Sequence, residues 1–151
     1  MEDVLDRFYN AAYKYNPSYV VRVTTDCPLI DPNLLDEIID YVLDKKIDYG
    51  SNTLVEAFPD GQDVEVIKWS ALKYAWHNAN SKYEREHVSP FIRKNSTFFG
   101  GKIFTSENFN CKYNFNKVRM TVDEIDDFEA IETLINQLGC NLDWLSYTKY
   151  I

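Results

Sequence analysis

The segment 19-YVVRVTTDCPLIDP-32 passes from an apolar run directly into an acidic, proline-bearing loop, and the architecture can be built outward from that junction. Tyr19, Val20, Val21 and Val23 are aromatic or β-branched and predict a strand buried on both faces, as in a parallel sheet flanked by helices. Asp26 falls just past the C-terminal end of that strand. Open α/β sheets bind ligands outside the carboxyl ends of their strands, so an acid there is a candidate ligand for a metal or a phosphate-bound cation. Asp and Pro are also ordinary turn residues, and this stretch by itself leaves both possibilities open.

Upstream, Asp3 to Tyr15 predicts a helix with Val4, Leu5, Phe8, Ala12 and Tyr15 on one face, stopped by Asn16-Pro17. Downstream, Asp31-Pro32 supplies an N-cap and a proline at the first helical position. Leu34, Leu35, Ile38, Ile39 and Val42 follow at helical spacing, with Lys45 and Lys46 suited to the negative end of the dipole. Ile47 to Asn52 is strand-like, Phe58-Pro-Asp-Gly61 is a turn signal, and Asp63 to Ile67 is a second strand leading into a helix from Trp69. Lys82 to Lys94 reads as a helix interrupted or bent by Pro90. Phe98 to Thr105 and Lys117 to Val122 read as further strands. Asp123 then caps a helix striped by Phe128, Ile131, Leu134, Ile135 and Leu138 and closed by Gly139. The segment from Asn141 to Ile151 is aromatic enough to dock. Without repeats or linkers, residues 1–151 read as one α/β domain.

A hydrophobic fraction of 45% and 15% aromatics belong to a folded globular chain. The net charge of -8 argues against a nucleic-acid backbone as the main partner and means that any phosphate ligand needs a cation. Cys27, Cys111 and Cys140 form neither a zinc motif nor a disulfide framework, which fits a reduced cytoplasm. There is no apolar run of membrane-spanning length, no G-x-G-x-x-G, no P-loop and no G-x-S-x-G elbow.

Asp26 and Asp123 each stand immediately after an apolar run, so both carboxylates can face one cleft and hold Mg²⁺ with positions left for substrate phosphates. Asp123 is equally a good helix cap. Glu84-Arg85-Glu86-His87 offers acid/base groups or simply a solvated helix face. Asp63 and Glu65 share a strand face, where like charges cost stability unless something cationic or hydroxylic meets them. They are candidate acceptors for sugar hydroxyls.

Arg22-Val-Thr-Thr-Asp-Cys-Pro-Leu-Ile-Asp-Pro32 resembles the cytidylyltransferase family of the spore-coat polysaccharide type, related to synthetases of CMP-activated acidic sugars. Asp3-Val-Leu-Asp-Arg-Phe8, Asp48-Tyr-Gly-Ser-Asn-Thr53, Phe58-Pro-Asp-Gly-Gln-Asp-Val-Glu-Val66, Arg85-Glu-His-Val88 with Pro90, and Arg119-Met-Thr-Val-Asp123 with Asp127 follow in family order. The resemblance implies a three-layer α/β/α sandwich of the nucleotide-diphosphosugar transferase type. It further implies Mg²⁺ at Asp26 and Asp123, CTP and a sugar as substrates, and a homodimer, for which Phe98, Phe99, Phe104, Phe109, Tyr113 and Phe115 offer aromatic surface. Arg22, Gly61, Asp63, Glu65, Arg85, Glu86 and His87 are the candidate substrate-binding residues. Thr25 stands where the family commonly has glycine, which predicts a more crowded metal loop. The family begins with a strand and a Gly/Arg/Lys-rich loop that grips the triphosphate, and this chain begins after it; the expectation is a C-terminal portion, inactive alone. A metal-dependent glycosyltransferase and a non-catalytic interaction module are the alternatives.

Overall fold

The computed structural model describes residues 3–151, which run α1 (Val4–Tyr13), β1 (Tyr19–Arg22), α2 (Pro32–Lys45), β2 (Tyr49–Ser51), β3 (Glu65–Lys68), α3 (Trp69–Asn78), α4 (Lys82–His87), α5 (Pro90–Lys94), a 3-10 turn (Thr97–Phe99), β4 (Ser106–Asn108), α6 (Ile125–Leu138) and α7 (Trp144–Tyr147). Local chemistry sets several of these as expected. Asp31 caps α2 by accepting from the Asn33 N–H at 2.8 Å, Pro32 occupies the first turn, and Lys46 closes the helix in the left-handed region. Asp3 likewise caps α1 through the Asp6 N–H.

The sheet order is β1-β3-β2-β4, with β3 antiparallel to both neighbours and β2 parallel to β4. This corrects the all-parallel expectation. Tyr19 to Arg22 are half-buried and Val23 is exposed, because β1 is an edge strand with β3 as its one partner among the described residues. The two faces of β3 separate the layers. Ile67 packs with Leu5 of α1 and Leu72 and Ala75 of α3, whereas Val66 packs with Leu34, Ile38 and Val42 of α2. Helices on both faces of one mixed sheet make an α/β/α arrangement. A third cluster joins α6 and α7 to the central loop through Leu29, Met120, Ile131, Leu134 and Tyr147. Within the C-terminal segment Tyr147 docks, and Tyr150 and Ile151 remain exposed. Each fully buried Leu, Ile or Val contributes about 1.5–3 kcal/mol.

Both aromatic-rich or apolar segments expected as strands differ. Around Phe98 the chain folds into the 3-10 turn, with Gly100 in the left-handed region and the Gly101 N–H bonded to the Ser96 carbonyl, so the ladder starts only at Ser106. Residues 117–122 make a single parallel bridge, Asp60 to Arg119. Their neighbour is the 58–61 turn, where Pro59 has no N–H to extend a ladder. Gly61 is required there: its φ is 103°, and a Cβ would stand 2.8 Å from the Met120 carbonyl carbon.

Two helix boundaries also depart from expectation. Glu124, not Asp123, is the N-cap of α6, and it forms a capping box with Asp127. The predicted 82–94 helix splits at Val88, whose φ of 70° and ψ of -61° form a γ-turn closed by the Ser89 N–H on the His87 carbonyl at 2.8 Å. For a β-branched residue such a conformation costs on the order of 1–3 kcal/mol and is retained only where the surroundings enforce it. Val88 is fully buried.

Candidate active site

The end of β1, the approach to β3, the 52–60 loop and the α4–α5 joint enclose one cleft. Its deeper part, of about 340 Å³, is lined by Asn52, Thr53, Glu56, Asp60 and Asp63. The adjoining part, of about 240 Å³, shares Thr53, Glu56 and Asp63 and adds Arg22, Thr24, Glu65, His87, Ser89 and Arg93. Together they match the size of a small-molecule site, with a lining more polar than most.

Glu65 anchors the wall. It stands directly opposite Arg22 across the β1–β3 pair and accepts from Arg22 Nη1 at 2.6 Å and from the Tyr49 hydroxyl at 2.5 Å. Burial, followed by the Glu65 charge, raises the Tyr49 hydroxyl well above the usual tyrosine range, so it serves as a proton donor here. Asn52 pins the 62–64 segment, donating to the Gln62 carbonyl at 2.6 Å and accepting from the Val64 N–H at 2.9 Å. Gln62 in turn receives the Asp31 N–H and donates to the Leu29 carbonyl, tying the central loop to the cleft floor.

Asp63 lies open to the water of the cleft but has protein around its other sides, and burial is the main reason its carboxyl is pushed up to about 6. The neighbouring charges of Asp60, Glu65, Glu56 and Asp26 push in the same direction. Because the fold binds this proton more tightly than the unfolded chain, the associated stability is full at acid pH and is lost as pH rises through about 6. Asp63→Asn, which cannot ionise, is expected to melt above the wild type between about pH 7 and 8, with a gap that closes near pH 4. Thermal melts across that range decide it, and a pH-independent gap would contradict the raised carboxyl.

The sequence-predicted acids come together along the backbone: the Val122 N–H donates to the Asp26 carbonyl at 2.9 Å, setting the 24–28 and 120–123 segments side by side. Their carboxylates have different partners. A hydrogen bond from Thr24 is the main influence holding Asp26 below the usual carboxylate range, and the Cys27 thiol, raised to about 11 mainly by burial, is a further donor. Asp123 accepts from Arg119 Nη2 at 2.5 Å, and Arg119 also reaches Asp127 and Asp60. Asp127 holds the Arg119 charge most strongly and is itself pushed far down by it. Among the described residues no group of three or more His, Cys, Asp or Glu side chains is arranged as a metal cage. A hard cation held by one or two carboxylates, water and substrate phosphates still fits this donor set. Asp26 is available to it as placed, and Asp123 becomes available when Arg119 turns to another partner. The excess of acid around Asp63 is the electrostatic reason such a cation would be favoured.

Of the remaining candidates, Arg22, Asp63, Glu65 and His87 line the cleft. Gly61 serves the turn against Met120. Arg85 does not line the cleft: its guanidinium pairs with Asp3 at 2.5 Å and donates to the Trp76 carbonyl at 2.7 Å, tying α4 to α1 and α3. Glu86 is half-buried on α4 and does not line the cleft either. Arg93 and Ser89 belong to the cleft and were not singled out; the signal was Pro90, whose turn brings residues on both sides of it to one wall.

The family model described as cytidylyltransferase matches residues 1–150. The chain belongs to the cytidylyltransferase family. A solved cytidylyltransferase from Leptospira borgpetersenii is similar to it at 30% identity and a TM-score of 0.89, over 99% of this chain and 62% of the other. The spore coat polysaccharide biosynthesis protein SpsF of Bacillus subtilis is 30% identical over 139 residues, 91% of this chain and 55% of SpsF. Protein MJ1063 of Methanocaldococcus jannaschii is 40% identical over 128 residues, 85% of this chain and 50% of that protein. The chain thus spans about half the length of the curated relatives it matches. The sandwich expected of a cytidylyltransferase is the one found, and no described helix is long and apolar enough to cross a membrane.

Proposed function

We propose that this cytidylyltransferase activates a sugar with CTP for surface polysaccharide synthesis, releasing pyrophosphate. The observation that carries the proposal is the family match over residues 1–150, in which Asp63 lines a polar cleft and feels the charge of Asp26, itself on the wall of a second cavity of about 520 Å³ with Val122 and Phe128. In this reaction an oxygen of the sugar bonds to the α-phosphorus of CTP, the bond from that phosphorus to the bridging oxygen breaks, and pyrophosphate leaves with the electron pair. Asp63 is the candidate acceptor for the attacking hydroxyl's hydrogen bond and proton, since a carboxyl at about 6 can exchange protons near neutrality. Glu65 and Tyr49 hold Arg22 in place at the cleft wall.

Mg²⁺ is the proposed cofactor: held by Asp26 and Asp123, it would neutralise phosphate charge. Free Cys27, Cys111 and Cys140 suit a reducing compartment, so we place the reaction in the cytoplasm. Exposed Phe98, Phe99 and Tyr113 are the proposed contacts of a homodimer; Phe104 belongs to the core, and Phe109 packs on the α2 side. The relatives do not favour the glycosyltransferase or interaction-module alternatives.

The test is pyrophosphate release by the complete gene product carrying residues 1–151, with CTP, Mg²⁺ and a panel of neutral and acidic sugars. Sugar-dependent release from CTP in preference to ATP is expected. Release that ignores the sugar, or consumption of a preformed nucleotide sugar instead, would overturn the proposal.

A further inference from the structure

We propose that Trp144 is a positioning residue for the cleft: its indole wedges between Phe58 and Phe115 and fixes the segment that carries Asp60 and Asp63. The inference deepens the cytidylyltransferase reading of that cleft and rests on it. Trp144 lines neither part of the cleft, so it acts on the wall from behind. Its ring meets that of Phe58 at 5.3 Å and 62° and that of Phe115 at 5.2 Å and 83°, both favourable edge contacts. The two phenylalanines belong to the two segments that meet at the deeper end. Phe58, Asp60 and Asp63 line it from one segment and Asn116 from the other, and the Phe115 N–H joins them by donating to the Ala57 carbonyl at 2.7 Å.

The start of the 58–63 segment depends on this packing. Pro59 has no N–H, and the ladder there is the single bridge between Asp60 and Arg119, so the buried Phe58 ring is the apolar anchor of the turn. Phe109, at 6.1 Å, covers another side of that ring. The backbone places Trp144 independently of its indole: its N–H donates to the Asp31 carboxylate at 3.0 Å, and the Asp31 N–H donates to the Gln62 side-chain carbonyl at 2.9 Å. Replacing the side chain therefore removes the wedge and keeps the polar chain that runs from α7 through Asp31 to the residue before Asp63. The consequence is chemical, because a displacement of about 1 Å in a group that must meet the attacking hydroxyl costs on the order of 100-fold in rate.

The experiment compares the wild type, Trp144→Leu and Trp144→Phe in the complete gene product carrying residues 1–151, below the melting transition of all three. Hydrogen exchange is followed by mass spectrometry, and sugar-dependent pyrophosphate release is measured with CTP and Mg²⁺. Trp144→Leu should speed exchange at least about tenfold in peptides covering 58–63 and 115–120, leave β3 unchanged, and lower kcat about tenfold or more. Trp144→Phe, which keeps an aromatic edge toward both phenylalanines, should restore most of both. Exchange that rises equally in β3, exchange that does not change, or a Trp144→Phe variant no better than Trp144→Leu would overturn the proposal. Local loosening with kcat unchanged makes Trp144 a packing residue and defeats this inference alone. Local loosening together with no pyrophosphate release by the wild type defeats the cytidylyltransferase reading, while the wedge stands.

Discussion

Glu65→Ala is expected to lower folding stability by about 3–5 kcal/mol, the cost of removing one partner of a buried ion pair. Glu65 is 4% exposed, and its loss leaves the half-buried Arg22 guanidinium without its 2.6 Å acceptor and the fully buried Tyr49 hydroxyl without its 2.5 Å one. Both orphans lie in the β1–β3–β2 sheet, so the damage falls on the element that positions the cleft. Glu65→Gln should cost less, because an amide oxygen still accepts from Tyr49 while the opposing charge is gone. Urea unfolding measures both, with a shift in midpoint at unchanged slope. A loss below about 1 kcal/mol for the alanine variant would mean that cleft water resolvates Arg22 and that the pair is no buried anchor.

Asp26→Asn is expected to reduce CTP turnover by about 100-fold or more while leaving Tm nearly unchanged, since a metal ligand neutralising phosphate charge supplies several kcal/mol in the transition state. The fold should survive because the Asp26 carboxylate is half-buried at a loop end and accepts from Thr24, Cys27 and its own backbone N–H, contacts that an amide of the same size can keep. Steady-state pyrophosphate release and a thermal melt of the same preparation are the measurements. Undiminished turnover would remove Asp26 from the metal site, and a large fall in Tm would make its role structural.

What could be read in advance follows from how local the causes are. The Asp31-Pro32 start of α2 depends on neighbours in sequence, and so does the passage from β3 into α3 at Trp69; both stand where the residue pattern puts them. The aromatic run at Phe98 has strand propensity, but Gly100 and Gly101 fold it back on Ser96, a tertiary outcome that propensity does not register. Asp123 and Glu124 are both acceptable caps by composition; Arg119 takes the first, leaving the second to pair with Asp127. The acids Asp26, Asp63 and Glu65 were visible as strand-end or strand residues, and the cleft gathers Asp63 and Glu65 with Arg22. Arg85 looked like a site residue because it lies beside His87, yet the helix turns it toward Asp3 on the opposite side. Arg93 was hidden for the converse reason, since only the strained Val88 turn and Pro90 carry it round to the cleft.

The most direct measurement is calorimetric titration of CTP into the complete gene product with and without Mg²⁺, repeated with ATP and with the Asp26→Asn variant. Binding that requires Mg²⁺, prefers CTP over ATP and weakens by at least about tenfold in the variant is the predicted result. CTP binding of equal strength without Mg²⁺ or in Asp26→Asn, or no discrimination between CTP and ATP, would contradict it.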